Sequence, residues 1–243
     1  MKPSFLFFAF LLILFSCKRE QKEANFRIEG QFSNSKGDKV LLCEMGVKNV
    51  TTLDSAVINK DGKIILSYAI DQPGFYILKF STGGRQILVM NSGANIQIKG
   101  DLMMPTCDFI ITGSNDSQLL QDFFKATSGN QQRIDSIKRV LSMHEGSDDF
   151  LRYSMTADSM FSSISANQKI IEKKFIDQNP NSLASLIVLN YAFGPKPVLT
   201  MEDDLPYYVK LMKLFRTFPE NKHVQFHIER VNLFINNLKN PEH

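Results

Sequence analysis

The sequence predicts an α+β protein in which an N-terminal antiparallel β-sandwich of about eight strands precedes an α-helical domain. Between residues 25 and 113, apolar and polar residues alternate in short segments separated by Gly, Asn and Asp, which is the pattern of half-buried strands and tight turns. From residue 114 onward, apolar residues recur every three or four positions, the period of a helix. Short strands joined by close turns bury their apolar faces only in a sandwich or a barrel. We therefore predict a 25–113 antiparallel β-sandwich domain and a 114–243 α-helical domain.

The first strand is predicted by Phe26, Ile28 and Phe32, which alternate with polar residues. The turn at Asn59–Gly62 should fold the third and fourth strands into a β-hairpin, because Asn and Gly accept the positive φ that tight turns require. The same alternation predicts seven further strands: Lys39–Met45, Thr51–Ile58, Lys63–Ile70, Phe75–Phe80, Arg85–Met90, Asn95–Lys99 and Asp108–Thr112.

The helical domain is predicted from caps and apolar spacing. The segment Thr200–Asp203 resembles a capping box, and Asp203-Asp204 has the acidic character of a first helical turn. The last helix carries an apolar stripe between Val224 and Leu238, which we expect to pack on the preceding helices rather than on a partner. Earlier helices are predicted after Ser114-Asn115-Asp116, over Phe150–Phe175 and over Leu183–Phe193.

The N-terminus has the order of a bacterial lipoprotein signal. Lys2 precedes the apolar run Phe5–Phe15, which leads to Leu14-Phe15-Ser16-Cys17. The run contains 11 residues, about half of the roughly 20 that cross a bilayer as a helix. We predict a 1–16 lipoprotein signal peptide, lipidation of Cys17 and a 17–24 lipidated tether. The alternative is a buried N-terminal helix in which Cys17 is incidental.

Lipidation of Cys17 would place the protein in the cell envelope as a membrane-anchored lipoprotein. The expected location is the outer membrane, facing the periplasm or the exterior, with the inner membrane left open. The net charge of +3 is carried by scattered Lys and Arg, with no basic face interleaved with aromatic residues. Nucleic acid is therefore excluded as a partner, and the membrane is contacted through the N-terminal lipid.

The remaining cysteines, Cys43 and Cys107, are too far apart in sequence to form a Cys-x-x-Cys motif. The chain by itself therefore cannot perform thioredoxin-type dithiol exchange. Each cysteine lies in an apolar, strand-like segment, which favours two buried thiols. A disulfide between them is the alternative in an oxidising compartment.

Other candidate sites have simpler structural explanations. His223 and His227 are four positions apart on the last helix, a spacing that can bind a metal, but Val224 stands where a zinc hydrolase carries Glu. We interpret the pair as plain helix surface. The loop Ser81–Arg85 lacks the Gly-Lys-Ser/Thr ending of a phosphate loop and fits a hairpin turn, while Gly113–Asn115 fits a helix cap. We predict no catalytic residue, no cofactor-binding residue and no metal site.

A set of short motifs resembles one family of exported proteins. In order, they are Phe26-x-Ile28-x-Gly30, Gly37-Asp38-Lys39-Val40-x-Leu42, Asp54-Ser55, Asp61-Gly62-Lys63, Pro73-Gly74-Phe75-Tyr76, Ile96-x-Ile98-x-Gly100-Asp101 and Gly113-Ser114. This order resembles the N-terminal domain of unknown function of TlpA/ResA-like thiol-disulfide oxidoreductase lipoproteins, closely over residues 25–125 and more loosely to about 240. The resemblance implies a β-sandwich, a helical spacer and Cys17 as the lipid site.

Members of that family continue into a thioredoxin-like domain with a Cys-x-x-Cys motif, whereas this sequence ends at His243. We therefore expect no redox activity of its own. The leading hypothesis is a non-catalytic, lipid-anchored binding or scaffold module that contacts an envelope protein. The alternative is an accessory or truncated partner of a thioredoxin-like thiol-disulfide oxidoreductase supplied by a separate chain. An enzyme of unrecognised type is the third hypothesis.

Overall fold

A computed structural model of the chain describes residues 23–103 and 109–240. The predicted signal peptide, the lipidation site Cys17 and most of the predicted tether lie outside the described residues. Cys107 lies outside them as well.

The eight predicted strands are present, and each segment differs from its predicted bounds by at most two residues at either end. They form two four-stranded sheets, in the orders β4-β1-β7-β8 and β3-β2-β5-β6. The strands are β1 (Phe26–Ser33), β2 (Lys39–Met45), β3 (Val50–Val57), β4 (Lys63–Tyr68), β5 (Gly74–Phe80), β6 (Arg85–Met90), β7 (Asn95–Asp101) and β8 (Ile110–Thr112).

The core of the sandwich consists of the alternate side chains that face the space between the two sheets. Ile28 and Ile96 from one sheet and Leu42 and Leu78 from the other are fully buried. Burial of each such side chain contributes about 1.5–3 kcal/mol to folding. Aromatic rings fill one region of this core, where Phe32 makes edge contacts with neighbouring phenylalanine rings. The prediction of an eight-stranded sandwich followed by helices is confirmed.

Two pairings differ from the sequence-based expectation. The strands β1 and β7 pair in parallel, within sheets whose other pairs are antiparallel. The predicted hairpin between β3 and β4 is wrong, because these strands belong to different sheets. The tight turn does form, since the Asn59 side chain accepts from the N–H groups of Asp61 and Lys63. Ile58 enters the core just before it, so the turn is a corner that carries the chain to the opposite sheet.

Five α-helices follow the sandwich in the described residues up to 240. The third is shorter than predicted, because the chain after Asn190 leaves the helix and Val198 N–H returns to the Tyr191 carbonyl at 2.9 Å. In the part of the chain that the structure describes, no helix is both long enough and apolar enough to cross a bilayer. The helices are α1 (Asn115–Met143), α2 (Phe150–Gln178), α3 (Ala184–Leu189), α4 (Met201–Leu211) and α5 (Lys222–Lys239), with a 3₁₀ turn (Met212–Arg216) between the last two.

The helices pack directly on the outer face of the sheet that contains β6. Phe75 of β5 and Val89 of β6 belong to the same apolar cluster as Leu120 and Phe123 of α1. Val224 and Val231 of the last helix, and other residues of its predicted stripe, join this cluster too. The expectation that the stripe packs on preceding helices is therefore confirmed from Val224 to Ile235, whereas Leu238 at its end is 60% exposed and lies outside the cluster.

Gly113 connects the sandwich to the first helix in a conformation that only glycine adopts easily. Its φ is +87°, and a Cβ atom at this position would lie 1.9 Å from the backbone oxygen of Asn95. The main chain is therefore closely packed where it turns from β8 into α1.

Replacing Gly113 should destabilise the fold far more than replacing a glycine that has a positive φ but no close neighbouring atoms. We expect Gly113→Ala to lower the free energy of unfolding by at least about 3 kcal/mol, because strand β7 would have to move. Gly37→Ala is the matched control, since Gly37 also has a positive φ (+78°) but has no neighbouring atom within 4 Å of the added Cβ. The control should lose about 1 kcal/mol. Urea unfolding of both variants tests this, and equal losses would contradict it.

Candidate functional site

A cleft of about 850 Å³ lies where the sandwich meets the helical domain. One wall comes from the end of β2 and from β5 and β6, and the other from α1, α3 and α5. Its volume falls within the range of roughly 300–1,000 Å³ that is typical of small-ligand sites. It is the candidate functional site of the protein.

Part of the cleft wall is aromatic. Phe124 comes from α1, Tyr191 from the segment after α3 and Phe226 from α5. Phe75 lines the sheet side but is only 1% exposed. The Tyr191 hydroxyl donates to Gln131 Oε1 at 3.1 Å, which fixes the orientation of its ring. Rings with a satisfied polar group give a ligand both apolar area and orientation.

The charged side chains of the cleft are mainly basic. Arg85 comes from β6 and Arg230 from α5, and Asp135 is the acidic residue among the lining side chains. Arg230 lies over the ring of Phe226, with 5.6 Å between the guanidinium carbon and the ring centroid. Asp135 accepts from the Gln131 side chain at 2.9 Å. The charged side chains that line the cleft therefore leave it with an excess of positive charge.

The interpretation of His223 and His227 as plain helix surface is wrong. His223 Nε2 donates to the Met45 carbonyl at 2.6 Å, and His227 Nε2 donates to the Tyr208 carbonyl at 2.8 Å. Since a carbonyl only accepts, both rings carry their proton on Nε2. Burial is the main cause that lowers the pKa of each ring, so both are neutral at pH 7.

These two histidines connect α5 to neighbouring elements. His223 joins α5 to the end of β2, and its ring makes an edge contact with Phe75. His227 joins α5 to α4. Among residues 23–103 and 109–240, no group of three or more His, Cys, Asp or Glu side chains is arranged to hold a metal ion.

Comparison with known protein families finds one match, which lies in the sandwich part of the chain. Residues 26–120 match the family described as Domain of unknown function (DUF4369). The sandwich is similar to a DUF4369 domain. No curated protein matches the chain. The DUF4369 region supplies the sheet wall of the cleft, whereas the facing residues of α1, α3 and α5 lie beyond residue 120.

A second polar cluster lies inside the helical domain, outside the DUF4369 region. Asp204 is only 2% exposed and accepts from Lys169 at 2.9 Å and from Lys173 at 2.7 Å. The Thr200 N–H also donates to it, at 3.1 Å. Burial acts to raise the pKa of Asp204, but the bonds from the two lysines and from Thr200 outweigh it and lower the pKa. Asp204, interpreted from the sequence as a helix-start charge, is therefore a buried anchor between α2 and α4.

Glu172 lies beside this cluster and is completely buried. Its Oε1 accepts from the Gln168 side chain at 3.1 Å, while its Oε2 has no hydrogen-bond partner among the described residues. Burial raises the pKa of Glu172 to about 8. The carboxyl group is therefore mainly protonated at pH 7. It is not among the residues that line the cleft.

The raised pKa of Glu172 makes a prediction about stability and pH. The folded state keeps this proton up to about pH 8, whereas the unfolded chain releases it near its ordinary pKa of 4.5. Stability should therefore fall as pH rises between these values, with a slope of at most about 1.4 kcal/mol per pH unit. Glu172→Gln should remove this contribution. Urea unfolding from pH 6 to pH 9 compares the two proteins, and parallel pH profiles would contradict the prediction.

The thiol positions fall in different parts of the chain. Cys43 is a buried free thiol, as expected, and its sulfur lies 3.7 Å from the Thr52 hydroxyl. Cys107 and the lipid site Cys17 lie outside the described residues.

The Ser81–Arg85 loop is the predicted hairpin turn, with Phe80 N–H donating to the Gly84 carbonyl at 2.8 Å.

Sequence reasoning did not find the cleft. In the sequence, Arg85 follows a turn and Arg230 lies in a predicted helix, and no sequence motif contains both. On α5 the sequence shows an apolar stripe and the histidine pair, and neither pattern indicates a cleft. The residues of the cleft come together only through the packing of helices on the sheet.

Proposed function

We propose that this protein is a non-catalytic, lipid-anchored binding module of the cell envelope, and that the cleft is its binding site. The observation that carries the proposal is the cleft itself, with its aromatic wall and its two arginines. The N-terminal signal sequence ending at Cys17 supports the lipid anchor.

The hydrogen bonds of the cleft favour binding over chemistry. The Thr127 and Ser128 hydroxyls donate to carbonyls of their own helix. His223 and His227 donate to carbonyls of neighbouring elements. A nucleophile needs a base within hydrogen-bond reach, and these groups are instead used to hold the walls of the cleft.

The resemblance to TlpA/ResA-like lipoproteins supports a second candidate function. In that case the module would dock a separate thioredoxin-like chain, which would supply the dithiol that this sequence lacks. Chemical crosslinking in intact cells tests this. Recovery of a chain with a Cys-x-x-Cys motif supports the accessory role, and recovery of other chains only counts against it.

The anchor predicts a change in cellular location when the lipid acceptor is removed. Cys17→Ser should move the protein from the membrane fraction to the soluble fraction, or leave it unprocessed, and should abolish labelling by a fatty-acid analogue. Cys43→Ser is the control, because this thiol is buried in the sandwich and should not alter the membrane pool. An unchanged membrane pool for Cys17→Ser would contradict lipidation.

Filling the cleft should abolish binding without unfolding the protein. Ser128 lines the cleft from α1, so Ser128→Trp places an indole in the space that a ligand would occupy. Ala126→Trp is the matched control, since Ala126 is exposed on the same helix and does not line the cleft. Capture from envelope extract, read by quantitative mass spectrometry, should recover the ligand with wild type and the control only. Equal recovery with Ser128→Trp would contradict the assignment of the cleft.

A further inference from the structure

The strand β6 forms an edge of its sheet, and among the described residues the start of α1 is hydrogen-bonded to that edge at Val89. Val89 N–H donates to Ser117 Oγ at 2.9 Å. The Val89 carbonyl accepts from Ser114 Oγ at 2.7 Å and from Ser117 Oγ at 3.1 Å. These serines thus take the place of a neighbouring strand at Val89.

The alternation of a strand fixes where the next backbone groups point. Residues two positions apart direct their N–H and C=O groups to the same side, so Ile87 and Arg85 point to the same edge as Val89. The turn between β5 and β6 supports this assignment. The Phe80 N–H donates to the Gly84 carbonyl, so the backbone groups of Gly84 and of Gln86, two positions later, point toward β5.

The outward backbone groups of Arg85 and Ile87, which form the rest of this edge, have only part of their hydrogen bonds among the described residues. The Ile87 carbonyl accepts from the side chain of its neighbour Gln86 at 3.0 Å, and Gln86 itself is only 4% exposed. Among the described residues, this amide is the group that reaches the edge beside Ile87. An unpaired strand edge is a template for a further strand.

This open edge lies on the wall of the cleft. Both Arg85 and Ile87 line it, opposite aromatic rings of α1 and α5. A ligand that pairs with the edge must present alternating C=O and N–H groups, which an extended peptide has and an acyl chain lacks. The two arginines, Arg85 and Arg230, against the single Asp135, favour a peptide with acidic side chains.

We propose that the cleft binds an extended acidic segment of a partner protein, added as a fifth strand beside Arg85–Ile87 of the four-stranded sheet. The proposal rests on the proposed function, since it assigns the ligand class of the same cleft. Backbone pairing supplies affinity, and the arginines select acidic side chains over basic ones.

The probe is a pool of synthetic fluorescein-labelled peptides about six residues long, each with two Glu at fixed central positions, since six extended residues span about 20 Å. A matched pool carries Lys at the same positions. Peptides retained by the wild-type protein are sequenced, resynthesised and titrated by fluorescence polarisation. We expect retention from the Glu pool only, with an affinity that falls as salt rises.

The edge is tested by Ile87→Pro, which removes one outward N–H from an edge strand that tolerates proline. Ile65→Pro is the matched control on the edge strand β4 of the other sheet. Lys63 N–H, two positions earlier, bonds to Asn59 rather than to β1, so Ile65 also points outward. We expect Ile87→Pro to weaken binding about tenfold or more, and Ile65→Pro to change it less than about twofold.

The charge is tested by Arg230→Glu, with Arg139→Glu as a control on an exposed position of α1 outside the cleft. The first should weaken binding about tenfold or more and the second less than about twofold. Circular dichroism shows whether Ile87→Pro folds. If it does not, the test is the NMR signals of the backbone amides of Arg85 and Ile87 in the wild-type protein. Both signals should shift when peptide binds, and both amide protons should exchange more slowly with solvent.

Three results would overturn the inference. They are retention of neither pool, equal weakening by the two proline variants, and unchanged amide signals at Arg85 and Ile87. A fluorescent fatty acid that binds wild type but not Ser128→Trp, with no peptide retained, would also overturn it while leaving the proposed function in place. Loss of the proposed function itself would require that Ser128→Trp bind everything that wild type binds.

Discussion

The contact between the first turn of α1 and Val89 sets the arrangement of the whole molecule. Ser114 caps α1 by accepting from the Ser117 N–H at 3.2 Å, and it donates to the Val89 carbonyl. Ser117 is completely buried, so loss of these bonds would leave polar backbone groups unsatisfied in an apolar cluster. A single bond of this kind contributes only about 1 kcal/mol, but an unsatisfied buried group costs more. Gly113 directly before the cap fixes the direction in which the helix leaves the sandwich.

The cleft is a consequence of three attachments between helices and their neighbours. The serines attach α1 to β6, His223 attaches α5 to the end of β2, and His227 attaches α5 to α4. Between these points Arg85 and Ile87 of the sheet line the cleft, while Phe75 and Val89 of the same face are buried against the helices. Because burial keeps both imidazoles neutral, each donates a hydrogen bond without the cost of a buried charge.

Local patterns in the sequence predicted the elements well and their connections less well. The alternation of Phe26 and Ile28 with polar residues is a property of one strand, so it could be recognised without knowledge of its partner. Pairing is not local. The turn at Asn59–Gly62 is right for a hairpin, yet Ile58 enters the core and sends the next strand to the other sheet. Asp204 has the sequence of a helix start, but lysines from another helix determine its role.

The sequence by itself determined the order of strands and helices, the position of the turns and the expectation of a lipid anchor at Cys17. Each depends on residues that are neighbours along the chain, where period and turn chemistry act directly. Only the tertiary structure decided that β1 and β7 run parallel, that His223 and His227 hold α5, and that a basic, aromatic cleft opens beside a strand edge. These features join residues far apart in sequence, and their energies arise from burial and hydrogen bonds that exist only after the helices have packed on the sheet.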